Sequence, residues 1–364
     1  MVTADPFVWV ALTVKTERQG HIIAAKPKLK PKLNLALQGG GAHGAFTWGV
    51  LDRIVEADRF EIDTISATSA GAVNAVALVG GLLTGGPEGG RTLLRELWGA
   101  VVKSAAPDLS KFMPMMAGLD SASLAQLASM MSPYAFNPFD FNPLRRLLSD
   151  MIDFEAIASS SPIELLIAAT DASSGQARLF RRKELTVDVV MASACLPMLY
   201  KAVKIGDNHY WDGGFAANPD LVTLARVAKA KDTLIVLLNP TSRAAVPTQA
   251  ADILGQINNI TFNQPLLRDV REIVSIRQAL AGPQAVLVGR ERKRVAGHRF
   301  HLIEGGAYTA TLPEMSKMRA DRVTSDKLFE AGRHEAEGWL ARHAASVGKR
   351  ETVDLAMRLL SESS

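Results

Sequence analysis

Apolar residues along this chain fall into short runs separated by glycine, proline and polar clusters. LNLALQ (33–38) is such a run, closed by glycines, and predicts a buried strand. GAFTWGVLDRIVEA (44–57) follows, with Phe46, Val50, Ile54 and Ala57 at helical spacing. IDTISA (62–67) predicts a second strand. AGAVNAVALVGGLL (70–83) is small and apolar nearly all round, the composition of a helix buried against a sheet. Strand, helix, strand and helix in that order predict a βαβ unit and a parallel sheet.

The pattern continues downstream. IELLIAAT (163–170), TLIVLLN (233–239) and HRFHLIEG (298–305) read as strands, and ARLFRRK (177–183) and AVKIGDNHYWDGG (202–214) as strand and hairpin. RTLLRELWGAVV (91–102) and residues 325–347 read as helices. There is no internal repeat, and strand signals run past residue 230. A single α/β domain over 33–364 is therefore expected, with core motifs in 33–240 and a helical part in 241–364. Residues 1–32 are expected to be extended and disordered, because AAKPKLKPKL (24–33) alternates lysine with proline. The apolar FVWVALTV (7–14) is too short to span a bilayer, and Asp5 stands where a signal peptide carries positive charge.

Composition narrows the function. The chain has 364 residues, 48% hydrophobic and 21% charged, which is globular. A formal net charge of +4 and 6% aromatic residues give no footprint for nucleic acid. Cys195 is the sole cysteine, so no intrachain disulfide or cysteine-based zinc site is expected. No metal and no cofactor are expected either. A soluble, cytoplasmic protein is the expectation.

The chemistry concentrates at two turns. In LQGGGAHGAF, Gly39, Gly40, Gly41 and Gly44 lie between the first strand and the first helix. Glycines there allow a sharp turn and uncover amide N–H groups beside a helix N-terminus, a site for negative charge. The spacing matches the dinucleotide pattern G-x-G-x-x-G, but Asp63 opens the second strand, whereas that motif wants an acid at its end. Ala45 and Phe46 exclude a P-loop. An oxyanion hole and a plain packing turn remain. The second turn is TSAG, where Ser69 sits in A-x-S-x-G, one glycine short of a nucleophile elbow. In a βαβ unit both turns open on the same sheet edge, so backbone donors and a serine hydroxyl would share a cleft.

A serine needs a base. His298, His301, His334 and His343 follow in the chain, but none sits in a small-residue turn after a strand. The alternative is Asp212 in NHYWDGGFAANPD (208–220), which on its own also reads as a D-G hairpin turn.

GGGAHG, then TSAG, then ASACLPMLYKAVKIGDNHYWDGGFAANP resemble, in order, the three signature blocks of the patatin-like phospholipase family. The resemblance covers about 33–240. It implies a three-layer α/β/α sandwich with a mostly parallel central sheet. It also implies acyl-ester hydrolysis by a Ser–Asp dyad without histidine, metal or cofactor. Carried over, Ser69 is the nucleophile, Asp212 the base, and the amides of Gly39, Gly40, Gly41 and Gly44 the oxyanion hole. The substrate implied is a lipid carboxylic ester, phospholipid or lysophospholipid first. Contact with a membrane or lipid granule follows as an expectation. Two departures stand out: Ala67 replaces the family's first elbow glycine, and His43 stands where Arg or Lys is frequent. Ala67 keeps open an alternative, a lipid- or granule-surface binding protein with weak or no hydrolysis. Met113, Met115, Met116, Met130 and Met131 cluster in 111–136, suited to a flap over an acyl pocket or to an inserted packing helix. GRERKRVAGHR (289–299) is expected to be a solvated basic loop.

Overall fold

The computed structural model describes residues 29–104, 132–137, 140–241, 246–283, 285, 289–312, 314–318 and 320–360. Residues 1–28 of the expected extended N-terminal segment and the five clustered methionines lie outside them, and Lys32, the last residue of that segment, opens a strand. Eight strands form one sheet: β1 (Lys32–Leu37), β2 (Glu61–Thr68), β3 (Glu164–Asp171), β4 (Ala177–Arg181), β5 (Val203–Ile205), β6 (Asn208–Asp212), β7 (Asp232–Leu237) and β8 (Arg299–Glu304). The order is β5-β6-β3-β2-β1-β7-β8, with β4 also pairing β3. The five strands β3-β2-β1-β7-β8 run parallel. The antiparallel strands β4, β5 and β6 join on the β3 side.

Alternation along the strands separates two cores. Leu33, Leu35, Leu37, Leu165, Ile167, Leu234 and Val236 point into one. There they meet α1 (Gly44–Ala57), α2 (Ala70–Ser104), α3 (Val187–Ser193) and α7 (Arg322–His343). Ala36, Leu166, Ile235 and Leu237 point into the other. That face is covered by α4 (Leu221–Val227), α5 (Ala250–Ala281), α6 (Arg290–Ala296) and α8 (Leu355–Leu359). A sheet buried on both faces this way is the expected three-layer α/β/α sandwich.

The two helices expected over 70–83 and 91–102 belong to one element, α2, which breaks at Gly85 and Gly86 just before Pro87. Gly86 has φ +60°, which only glycine adopts cheaply. α2 is long and apolar enough to cross a membrane, but 67% of its most apolar window is buried inside the fold, as in a core helix. The basic stretch expected as a loop is instead α6. It buries Val295, and Arg294 donates to the Ala228 carbonyl. α5 and α8 fall in the part expected to be helical, 241–364, whereas α3, α4 and the helices Pro143–Met151 and Phe154–Ser160 were not evident in the sequence pattern.

Candidate active site

β2 ends at Thr68 and α2 begins at Ala70, so Ser69 alone makes the turn. It does so with φ +53°, in the left-handed region. A non-glycine residue held there costs about 1–2 kcal/mol, and such strain gathers at functional turns. Three contacts hold it. Val73 N–H donates to the Ser69 carbonyl at 3.0 Å, starting the helix. Ser69 N–H donates to Ser193 Oγ at 2.9 Å. A Cβ on Gly71 would lie 2.3 Å from the Leu37 carbonyl oxygen, so the elbow is pressed against the end of β1. Ala67 is fully buried and pairs with Leu37 on one side and Ile167 on the other. The left-handed turn at Ser69 therefore forms with alanine at that position.

The glycine loop lies directly on the serine. A Cβ on Gly39 would be 2.8 Å from Ser69 Cβ. The four glycines expected to offer amides divide into two pairs. Gly39 N–H donates to Asn218 Oδ1 at 2.7 Å. Gly44 N–H closes a 3₁₀ turn on Gly41 O. Both amides thus hold the loop in place. The N–H groups of Gly40 and Gly41 have no partner among the described residues. Gly41 has φ +58°, and a Cβ there would lie 2.2 Å from the Lys317 carbonyl. His43, next in the loop, is buried, and its Nε2 pairs with Ser316 Oγ at 2.7 Å. Burial, with the Lys317 cation nearby, pushes its pKa down to about 4, so the imidazole is neutral at physiological pH.

Sheet register delivers the carboxylate. Consecutive β3 residues Ala168 and Ala169 pair with Thr68 and Asp212, which brings the ends of β2 and β6 together. Asp212 is fully buried. Its backbone is fixed by Asp212 N–H to Cys195 O at 2.7 Å and by Thr170 Oγ1–H to Asp212 O at 2.7 Å. Oδ1 accepts Gly214 N–H at 2.8 Å. Oδ2 makes no closed hydrogen bond. Burial pushes the carboxyl up to about 7, partly offset by the Gly214 amide and the Ser69 hydroxyl. The Ser69 hydroxyl thus lies near enough to act on the carboxylate, with no closed hydrogen bond between Ser69 and Oδ2.

Ser193 and Asn218 are the residues that sequence reasoning missed. Both are fully buried polar side chains inside the third motif block, and each satisfies one backbone amide of the site. A polar residue among alanines, as in ASAC and AANP, is the signal that could have found them. Ser193→Ala leaves the buried Ser69 N–H without an acceptor. The expected loss is about 1–3 kcal/mol in chemical denaturation, with kcat down roughly tenfold as the elbow loosens.

The other candidate groups are used elsewhere. His298 Nε2 pairs with Thr233 Oγ1 at 2.6 Å and His301 Nε2 with Asp232 Oδ1 at 3.1 Å. Asp232 and Thr233 begin β7, at the sheet edge opposite Ser69. The Cys195 thiol is pushed up to about 12 by burial and by Asp212, which makes it inert as a nucleophile. Among the described residues there is no group of three or more His, Cys, Asp or Glu arranged to hold a metal.

Comparison with curated proteins gives no match. Two solved structures are similar over most of this chain. VipD from Legionella pneumophila is 13% identical with a TM-score of 0.39, over 88% of this chain and 72% of that one. The type III effector ExoU is 14% identical with a TM-score of 0.35, over 86% of this chain and 54% of that one. Residues 35–225, just over half of the chain, match the family Patatin-like phospholipase. That match spans the glycine loop, the Ser69 elbow and Asp212 together: the chain belongs to the patatin-like phospholipase family, whose members are lipid-ester hydrolases.

Proposed function

We propose that the protein is a serine acyl hydrolase that cleaves carboxylic esters of lipids, phospholipid or lysophospholipid, through a Ser69–Asp212 dyad. The observation that carries this reading is the buried Asp212 Oδ2, left without a closed hydrogen bond beside a serine in a left-handed turn. Ser69 Oγ attacks the ester carbonyl as its proton passes to Asp212 Oδ2. The oxyanion is received by the Gly40 and Gly41 N–H groups, with the positive end of α2 adding to the field. Collapse expels the alcohol, which takes the proton back from Asp212. Water then attacks the acyl-serine and gives a proton to the same carboxylate; collapse breaks the acyl–Oγ bond, Asp212 returns the proton to Ser69 Oγ, and the fatty acid leaves.

Aspartate is ordinarily a weak base; burial to about 7 brings Asp212 into the range where general bases work best near neutral pH. Losing one oxyanion donor typically costs about 10²–10³ in rate, so two open amides account for much of the remaining stabilisation. Gly39 and Gly44 serve the mechanism by shaping the loop. The binding-only alternative rested on Ala67, and with the elbow formed around Ala67 no observation favours it.

The test is fatty-acid release from a panel of phosphatidylcholine, lysophosphatidylcholine, triacylglycerol and a polyester. Release from phospholipid or lysophospholipid is expected. Release from none of them would sink the reading.

A further inference from the structure

Helix α5 buries Leu266, Val270 and Ile273 in its second half. Its first half, up to Pro265, buries polar residues and exposes apolar ones. Asn259 and Asn263 are buried and both donate to the Pro240 carbonyl at 2.9 Å. Asn263 Oδ1 also accepts Gln38 Nε2–H at 3.0 Å. On a different face Ile253, Ile257 and Ile260 repeat at i, i+4 and i+7 with 40%, 52% and 48% exposure, flanked by Leu254 at 63%. No charged residue occurs between Asp252 and Arg268. A solvent-facing helix ordinarily shows the reverse pattern.

The position of this stripe matters as much as its composition. Gln38, which the buried edge of α5 holds, directly precedes Gly39. Phe262 packs on Phe215 with ring centroids 4.9 Å apart, and its carbonyl accepts Asn218 Nδ2–H at 3.0 Å. A Cβ on Gly214 would lie 2.3 Å from the Phe262 ring. The turn Glu314–Lys317 packs against α5 as well as against the glycine loop, and it ends in the exposed Met318. Apolar surface therefore borders the cleft from two elements, the uncharged stripe on α5 and Met318 next to Lys317 on the turn.

The geometry points to a phospholipid surface as the occupant of this face: Ile253, Leu254, Ile257 and Ile260 seat α5 in the headgroup–acyl boundary and hold the Ser69 cleft against the bilayer. An uncharged apolar stripe matches that boundary, where buried apolar area supplies the binding. The inference rests on the proposed lipid-ester hydrolysis only for the choice of lipid as partner.

The test uses the full chain and phosphatidylcholine vesicles. Binding is measured by co-sedimentation in the Ser69→Ala background, so that turnover plays no part. The triple variant Ile253→Ser, Ile257→Ser, Ile260→Ser is expected to bind roughly tenfold or more weakly, with Ile257→Ser intermediate. In the active background, hydrolysis of vesicle phospholipid falls in parallel while hydrolysis of a short soluble ester is unchanged. Three results would overturn the inference. One is vesicle binding equal in the triple variant and its parent, or absent in both. The second is light scattering that shows a dimer dissolved by the triple substitution, which makes a second copy the occupant. The third is an equal loss on the soluble ester, which makes the stripe part of the folded site. Should every ester go uncleaved while the triple substitution still abolishes vesicle binding, the docking face stands and the hydrolase reading fails.

Discussion

Ser69→Ala is expected to lower ester hydrolysis by at least about 10⁴-fold while leaving the fold intact. The substitution removes the only atom asked to form the acyl bond. It keeps Cβ, and with it the contact to Gly39 that seats the glycine loop. It also keeps the backbone N–H bonded to Ser193. The left-handed φ of +53° is no worse for alanine than for serine, so thermal unfolding shifts little. Activity assays on a soluble ester, paired with a melting curve, read both halves of this expectation. Hydrolysis surviving at a tenth of the parent rate would require another nucleophile, and the inert Cys195 does not supply one.

Asp212→Asn is expected to abolish turnover and stabilise the protein. The parent's kcat/KM should rise with pH through about 7 and level off above it, because only ionised Asp212 accepts the serine proton. The stability effect has the opposite slope. An unfolded chain releases the Asp212 proton near the ordinary carboxylate pKa, whereas the folded protein keeps it until about 7. Between those values the native state binds more protons, so stability falls as pH rises, and above 7 the full penalty of a buried charge is present. Asparagine keeps an oxygen for the Gly214 N–H and carries no charge. The variant should therefore gain on the order of a few kcal/mol over the parent at pH 8, and the gain should vanish toward pH 4. Denaturant titrations of parent and variant at the two pH values measure it. An Asn variant less stable than its parent at pH 8 would show that Asp212 is held mainly by favourable charge interactions.

Local physics made much of the scaffold legible before any coordinates. Apolar runs bounded by glycine, proline or polar residues marked β1, β2, β3 and β7 to within a residue or two, because strands buried on both faces leave no other pattern. Parallel connection then placed the Gly39 and Ser69 turns on one sheet edge, where the structure has them in contact. The role of Asp212 was different: isolated, D-G-G is a hairpin turn, and only pairing across β3 shows it meeting the end of β2. Which loop amides lack a partner among the described residues was not legible, since Gly39 N–H is taken by a residue far along the chain, Asn218. The exposed apolar stripe of α5, inside the part expected to be helical, was not legible for a related reason. Before Pro265 the helix's buried asparagines answer to the Pro240 carbonyl and to Gln38, partners fixed by tertiary structure, so the isoleucines there are left exposed, while Leu266, Val270 and Ile273 further on enter the core.

Covalent labelling with a fluorophosphonate, followed by peptide mapping, tests the central claim most directly. The reagent reports an activated serine irrespective of which lipid is the substrate. The account predicts a single adduct on Ser69, absent in Ser69→Ala and slowed strongly in Asp212→Asn. An adduct on a different serine, or a folded protein that takes no label at Ser69, would contradict it.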